Sequence, residues 1–199
     1  MASMSSTAAP FPTTRGAEGL DRRAFSIADV ERMLAAGVLD RDEKFELIRG
    51  EIVPMSPQQL RHSVVRNRLA RWLMLAVPPH IEVNAETTVR LYTNQLFDAD
   101  LVLTLPLKPT KSYLPLSEAL LVIEVADTTL SRDRDVKAPE YAKAGLAELW
   151  VVDVEAQETL VMRAPGPEGY GEIIAVPFAA TLSPLCAPAV ALRVAELAG

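Results

Sequence analysis

Cysteine and histidine are nearly absent from this sequence. A single cysteine, Cys186, occurs among 199 residues, so an internal disulfide and a cysteine-cluster zinc site are both excluded. The two histidines, His62 and His80, are well separated, which argues against a compact histidine-based site for zinc or iron. Any chemistry in this chain must therefore depend on carboxylates, Lys and Arg side chains, and hydroxyl groups.

Long apolar runs and an excess of positive charge are also missing. No run approaches the ~20 apolar residues that span a bilayer, and no apolar core typical of a secretory signal is present. We therefore expect a cytoplasmic protein without membrane contact. The formal net charge of −6 disfavours a protein that coats nucleic acid through bulk positive charge. Any contact with DNA or RNA would need a local basic patch.

Length and composition predict one globular domain of ordinary size. Hydrophobic residues make up 49% of the chain and charged residues 23%, as in average globular proteins. Residues 1–23 are rich in Ala, Ser, Thr and Pro and lack apolar periodicity, which predicts a flexible N-terminal tail. We expect a single domain over residues 24–199.

The N-terminal part of this domain is predicted to contain a short helix, a hairpin and a long helix. Ser26 and Asp29 form the pattern of a capping box, with Asp in place of Glu, which predicts a helix start. Arg49-Gly50 lies between two short apolar runs and is typical of a two-residue hairpin turn. Residues 61–77 carry an apolar stripe at helical spacing, which predicts the long helix.

Strands dominate the rest of the chain. Three strand candidates come first, followed by a helix, a fourth strand and two further strand-like pieces. In order, these segments are residues 87–91, 97–105, 119–126, 134–144, 148–154, 159–162 and 172–178. The step from the third strand through the helix to the fourth is typical of a crossover between parallel strands. The pattern predicts an α/β fold (α+β mixed sheet) with one central sheet.

Carboxylates interrupt two strands that are otherwise apolar. Glu124 lies within Leu120–Val125, and Asp98 and Asp100 alternate along the preceding strand, so those two share one face. Burying an ionised carboxylate without a partner costs several kcal/mol. Such a residue is therefore expected to be paired with a cation, hydrogen-bonded or bound to a metal.

The spacing of the two strands suggests that their carboxylates meet. An antiparallel register with Asp100 opposite Glu124 has its midpoint at residue 112, inside the loop-like stretch 106–116. The two carboxylates would then project from neighbouring strands into one pocket. Oxygen ligands of this kind suit a hard cation, so the pair predicts a site for Mg²⁺ or Mn²⁺.

Basic side chains accompany the carboxylates. Lys137 lies on the first turns of the helix after Glu124, from which it could reach back as a cation near a scissile phosphate. The long helix carries four arginines with no acidic residue among them: Arg61, Arg66, Arg68 and Arg71. This face is the one best suited to phosphate. Nucleic-acid contacts are expected from Arg61, His62, Arg68 and Arg71.

Several segments together resemble a known family. They are residues 45–53, 55–57 with 61–62, 100–102, 121–129, 133–137, 141–145 and 150–153. In this order, from about Ser26 to the C-terminus, they are similar to the Uma family of restriction endonucleases, in the PD-(D/E)XK nuclease superfamily. The resemblance implies a restriction-endonuclease-like core of helix, three strands, helix and strand, preceded here by the N-terminal helix and hairpin.

The resemblance also implies roles for individual residues. Asp100 and Glu124 match the acidic pair, and the backbone carbonyl of Val125 is implied as a further metal ligand. The superfamily's lysine normally lies two residues after the glutamate, but that position is Ala126, and the resemblance places the lysine at Lys137. The catalytic residues so implied are Asp100, Glu124, Lys137 and, as an additional carboxylate, Glu46.

Three functions stay open at this point. The first is a Mg²⁺-dependent endonuclease that hydrolyses DNA phosphodiester bonds, for which double-strand cleavage would require two sites and hence a homodimer. The second is a nuclease-fold module that binds nucleic acid or assembles without cutting, with Glu124 in a structural ion pair to Arg134 or Lys137. The third is a carboxylate-based hydrolase of small phosphoesters. A Lys137 that converges with both carboxylates would favour an enzyme, and an exposed Lys137 would favour the module.

Overall fold

The structure is a computed structural model that describes residues 12–15, 19–110 and 112–198. The chain divides into two compact units. The first comprises Met1–Met55 with Thr93–Leu96, and the second comprises Ser56–Tyr92 with Phe97–Gly199. None of the helices in the described ranges is both long and apolar enough to cross a membrane.

The first unit contains two short antiparallel ladders and one helix. Strands β1 (Thr13–Arg15) and β2 (Asp21–Arg23) pair with each other, as do β3 (Phe45–Ile48) and β4 (Glu51–Pro54). Helix α1 spans Ile27–Ala35. The β1–β2 ladder lies within residues 1–23, where the sequence predicted only a tail without regular structure, so that expectation is wrong for these six residues. Residues 1–11 and 16–18 lie outside the described residues.

Local sequence signals account for the helix start and the hairpin turn. Ser26 Oγ accepts a hydrogen bond from the Asp29 N–H (3.2 Å), and Asp29 Oδ2 accepts one from the Ser26 N–H (2.9 Å), which confirms the capping box. Arg49 and Gly50 have φ angles of 52° and 82°. Two positive φ angles in succession are what a two-residue hairpin turn requires. A Cβ at Gly50 would also lie 2.6 Å from the Ala24 Cβ, so this position needs glycine.

The second unit is built on a mixed sheet. Its strands are β5 (Glu82–Tyr92), β6 (Gln95–Thr104, which begins in the first unit), β7 (Leu114–Pro115), β8 (Ala119–Ala126), β9 (Glu148–Asp153), β10 (Glu158–Gly166) and β11 (Gly169–Pro177). The main path runs β11-β10-β9-β8-β6, with β5 paired to β6 and β7. Pairing is antiparallel along this path except between β8 and β9, which are parallel.

The chain between β8 and β9 is helical throughout most of its length. It forms α3 (Leu130–Arg132), a π-helical turn (Asp133–Lys137) and α4 (Ala138–Lys143). This parallel connection through helix confirms the predicted crossover. The helix begins four residues before the predicted start at Arg134. The spacing of the apolar residues does not predict the π turn. The stretch predicted to be a loop, 106–116, contains the short strand β7.

The core of the second unit lies between helix α2 (Leu60–Ala76) and the sheet. Val65, Leu69 and Leu73 form the buried stripe of α2 and belong to one cluster with Ile123 of β8 and Trp150 of β9. The C-terminal segment contributes Leu182, Ala187, Val190, Leu192 and Val194 to the same cluster before α5 (Ala195–Ala198). The predicted fold class, a mixed α/β domain around a central sheet, is confirmed.

The stripe of α2 should be essential for stability. Leu69→Ala removes a fully buried side chain and leaves a cavity, so we expect the free energy of unfolding to fall by about 2–5 kcal/mol. Leu75 lies on the same helix and is 80% exposed, so Leu75→Ala should change it by less than about 0.5 kcal/mol. Urea denaturation measures both. Equal losses in the two variants would contradict the assigned core.

Candidate active site

Two carboxylates lie at the end of the β6–β8 ladder. Leu101 pairs with Ile123, so Asp100 and Glu124 occupy the next opposed positions. This antiparallel register is the predicted one. Both residues are buried, with 8% of Asp100 and 2% of Glu124 exposed to solvent. The apolar character of these strands, which buries both sheet faces, also removes water from the two carboxylates.

Hydrogen bonds fix both oxygens of Asp100. The ring Nε2 of His62 lies 2.9 Å from Oδ1, and the backbone N–H of Val125 donates to Oδ2 over 2.8 Å. The guanidinium of Arg66 adds a more distant charge, with Nη1 at 4.0 Å from Oδ1. His62 and Arg66 are one turn apart on α2, so the start of this helix holds Asp100 in position.

Two groups of the crossover helix contact the same oxygen of Glu124. Lys137 Nζ lies 2.7 Å from Oε1, and the Tyr141 hydroxyl donates to the same atom over 3.0 Å. The cation that pairs with Glu124 is Lys137, whereas Arg134, the other partner considered from the sequence, pairs with Asp135. Lys137 and Tyr141 therefore hold the carboxylate of Glu124 through the same oxygen, Oε1.

The π turn places Lys137 within the site. The side chain is 3% exposed, and Nζ donates to the backbone carbonyl of Asp98 over 3.1 Å. Asp133 Oδ1 lies 3.9 Å away, and the ring centroid of Phe97 lies 5.6 Å away. Lys137 thus approaches Glu124 from the crossover helix and is buried, so it does not show the exposure that would favour the module.

Burial and charge shift two pKa values at the site. Removal from water raises the pKa of Glu124; the ammonium of Lys137 opposes this rise, and the carboxylates of Asp133 and Asp100 add to it. Burial by itself lowers the pKa of His62, but the hydrogen bond and the charge of Asp100 outweigh it, and the pKa of His62 is raised. A divalent cation would counter the repulsion between carboxylates in the same way as Lys137 does.

The donor set fits a hard divalent cation. In the described ranges, no three His, Cys, Asp or Glu side chains are grouped as a metal site, so a cation here would be held by two carboxylates, a backbone carbonyl and water. Mg²⁺ is commonly bound in this way. The carbonyl of Val125 suits the role because the N–H and C=O of a strand residue point to one side, and its N–H already faces Asp100.

The other predicted site residues differ in their exposure. Glu46 is buried on β3 in the first unit. His62, predicted as a nucleic-acid contact, is buried against Asp100. The three arginines predicted with it, Arg61, Arg68 and Arg71, are exposed. Arg61 pairs with Glu155 and donates to the Val154 carbonyl. The two exposed arginines further along α2 are Arg68, which donates to the Leu197 carbonyl, and Arg71.

Sequence reasoning missed three residues of the site. Asp133 and Tyr141 lie four residues before and after Lys137, and this spacing, typical of one helix face, could have indicated them. Tyr141 is fully buried, with its ring edge against Phe97. Arg66 was treated as one of the surface arginines, but it is buried. Nothing in the local sequence separates Arg66 from its exposed neighbours except its position four residues after His62.

The raised pKa of His62 makes its contribution to stability dependent on pH. Protonated His62 is favoured by Asp100 in the folded chain, so this contribution is fully present below the unfolded pKa of about 6.5 and is lost as pH rises through the folded value. We expect His62→Gln to cost more unfolding free energy at pH 5.5 than at pH 9. Chemical denaturation of metal-free protein at both pH values measures this. A cost independent of pH would contradict the assignment.

This chain matches a family model and is similar to a solved structure. The family model Uma2, described as "Putative restriction endonuclease", matches residues 27–195. A crystal structure described as a "putative nuclease belonging to DUF820" from Anabaena variabilis is similar, with a TM-score of 0.67 and 18% identity over 87% of this chain and 97% of that chain. No curated protein matches the chain.

Proposed function

Because the chain belongs to the Uma2 family of putative restriction endonucleases, we propose that it is a metal-dependent endonuclease that hydrolyses phosphodiester bonds of DNA. The observation that carries this proposal is the buried pair Asp100 and Glu124 with Lys137 Nζ 2.7 Å from the glutamate. Three buried ionisable groups are costly for folding, and such groups concentrate at sites of catalysis.

Each residue has a role that follows from its position. Asp100, Glu124 and the Val125 carbonyl would hold Mg²⁺ or Mn²⁺, which would lower the pKa of a bound water and stabilise charge on the phosphate. His62 and the Val125 N–H orient Asp100. Lys137 keeps a positive charge beside Glu124, where it can orient water or offset negative charge that develops on the phosphate.

The proposed substrate, duplex DNA, implies a basic surface for its backbone and a second copy of the chain. Duplex DNA would lie against the exposed arginines of α2, including Arg68 and Arg71, whose charges attract the phosphate backbone. Cleavage of both strands would require two such sites, which a homodimer would supply.

A non-cutting module is the second candidate. The Lys137–Glu124 pair is buried on both sides, so it also connects the crossover helix to β8 as a structural ion pair would. The closeness of Asp100 to Glu124 favours the enzyme, because an ion pair with Lys137 does not require a second buried carboxylate at the opposed strand position.

Removing either carboxylate should abolish both metal binding and cleavage. We expect Asp100→Asn and Glu124→Gln to lose Mn²⁺ binding in calorimetry and plasmid nicking in the same buffer. Asp98→Asn, two residues before Asp100 on β6, should keep both, because the Asp98 side chain accepts a hydrogen bond from the Thr88 hydroxyl and the substitution keeps the backbone carbonyl that accepts from Lys137. Absence of Mn²⁺ binding and nicking in the wild type, with loss of stability in the two variants, would make the pair structural and favour the module.

Lys137 should affect cleavage without being needed for metal binding. Lys137→Gln removes the charge but keeps a hydrogen-bond donor, so we expect Mn²⁺ binding to persist while nicking falls by about 10²-fold or more. Lys143 lies on the same helical segment, with 39% of its side chain exposed, and Lys143→Gln serves as the control with unchanged nicking. Equal nicking by both variants would remove Lys137 from the mechanism.

A further inference from the structure

A second buried cation lies beside the carboxylate pair. Arg66, on α2, has 8% of its side chain exposed. Its Nη1 donates to Glu86 Oε1 over 2.7 Å and to Gln58 Oε1 over 3.0 Å, and lies 4.0 Å from Asp100 Oδ1. Its Nε and Nη2 donate to Asn67 Oδ1. The guanidinium therefore lies between the candidate metal ligand Asp100 and an outer carboxylate, Glu86.

Glu86, the outer partner of Arg66, differs from Asp100, the inner partner, in its exposure, and it has an unusual backbone conformation. The side chain of Glu86 is 55% exposed, whereas that of Asp100 is 10% exposed and is held by two further hydrogen bonds. Glu86 also has a φ of 48° within β5, a backbone conformation that a side-chain-bearing residue seldom adopts inside a strand. Such conformations cost free energy, persist only when the surrounding structure imposes them, and cluster at functional sites.

Arginine binds carboxylate and phosphate through the same planar set of N–H donors. A solvent-exposed carboxylate on a buried guanidinium, adjacent to a candidate metal ligand, therefore occupies a position that suits a phosphate group. We propose that Arg66 is a phosphate-binding residue and that Glu86 occupies its binding position until a backbone phosphate of DNA displaces it. This inference rests on the proposed function, because it takes DNA as the ligand, and it adds a built-in competitor to that site.

The competition can be measured as DNA affinity without cleavage. Binding of a fluorescein-labelled 20-base-pair DNA duplex is followed by anisotropy in EDTA at low salt. Glu86→Gln keeps the shape of the side chain but removes its charge, so the Kd should fall about two- to five-fold. Glu82→Gln makes the same charge change four residues earlier on β5, where Glu82 accepts a hydrogen bond from the Leu107 N–H, and controls for net charge.

A double-mutant cycle separates competition at Arg66 from general electrostatics. Arg66→Gln should raise the Kd about ten-fold, and Glu86→Gln should then give no further gain in that background. Arg66→Lys keeps the charge and provides a second background if Arg66→Gln does not fold, which thermal unfolding reports; there the gain should shrink but keep its sign.

Two results would overturn the inference. An equal gain from Glu86→Gln and Glu82→Gln would mean that only net charge matters. A full gain from Glu86→Gln in the Arg66→Gln or Arg66→Lys background would mean that Glu86 acts elsewhere. Either result, with wild-type protein that still nicks plasmid in Mn²⁺, leaves the proposed function intact. A wild type that neither binds the duplex nor nicks plasmid would remove both.

Discussion

The cost of burying two carboxylates side by side governs the architecture around them. Asp100 and Glu124 lie at opposed positions on β6 and β8 with almost no access to water. Two like charges in such surroundings repel each other and lack hydration, so each must be compensated by the protein. Helix α2 supplies His62 and Arg66 to one carboxylate, and the crossover helix supplies Lys137 and Tyr141 to the other.

The protein compensates the charges of the two carboxylates unequally. Asp100 is hydrogen-bonded through both oxygens, whereas Lys137 and Tyr141 both contact Oε1 of Glu124. Burial still raises the pKa of Glu124 despite the nearby ammonium. A divalent cation would complete the charge balance, and in the proposed function Asp100 and Glu124 would supply oxygen ligands for it from two adjacent strands.

The sequence was most informative where a local rule acts alone. The capping box at Ser26, the turn at Arg49-Gly50 and the register that opposes Asp100 to Glu124 follow from hydrogen-bonding geometry and strand spacing. Features that depend on tertiary packing could not be predicted from the sequence. The π turn at Asp133–Lys137 and the burial of Arg66 arise from contacts between elements distant in sequence.

The central claim is that the oxygens of Asp100 and Glu124 form a divalent cation site. The most direct measurement is a crystal structure of the protein grown with Mn²⁺, with anomalous diffraction to locate the metal. The account predicts an anomalous peak between the two carboxylates, with the Val125 carbonyl and water completing its coordination. Crystals that show no peak there at saturating Mn²⁺, with Lys137 still paired to Glu124, would contradict it.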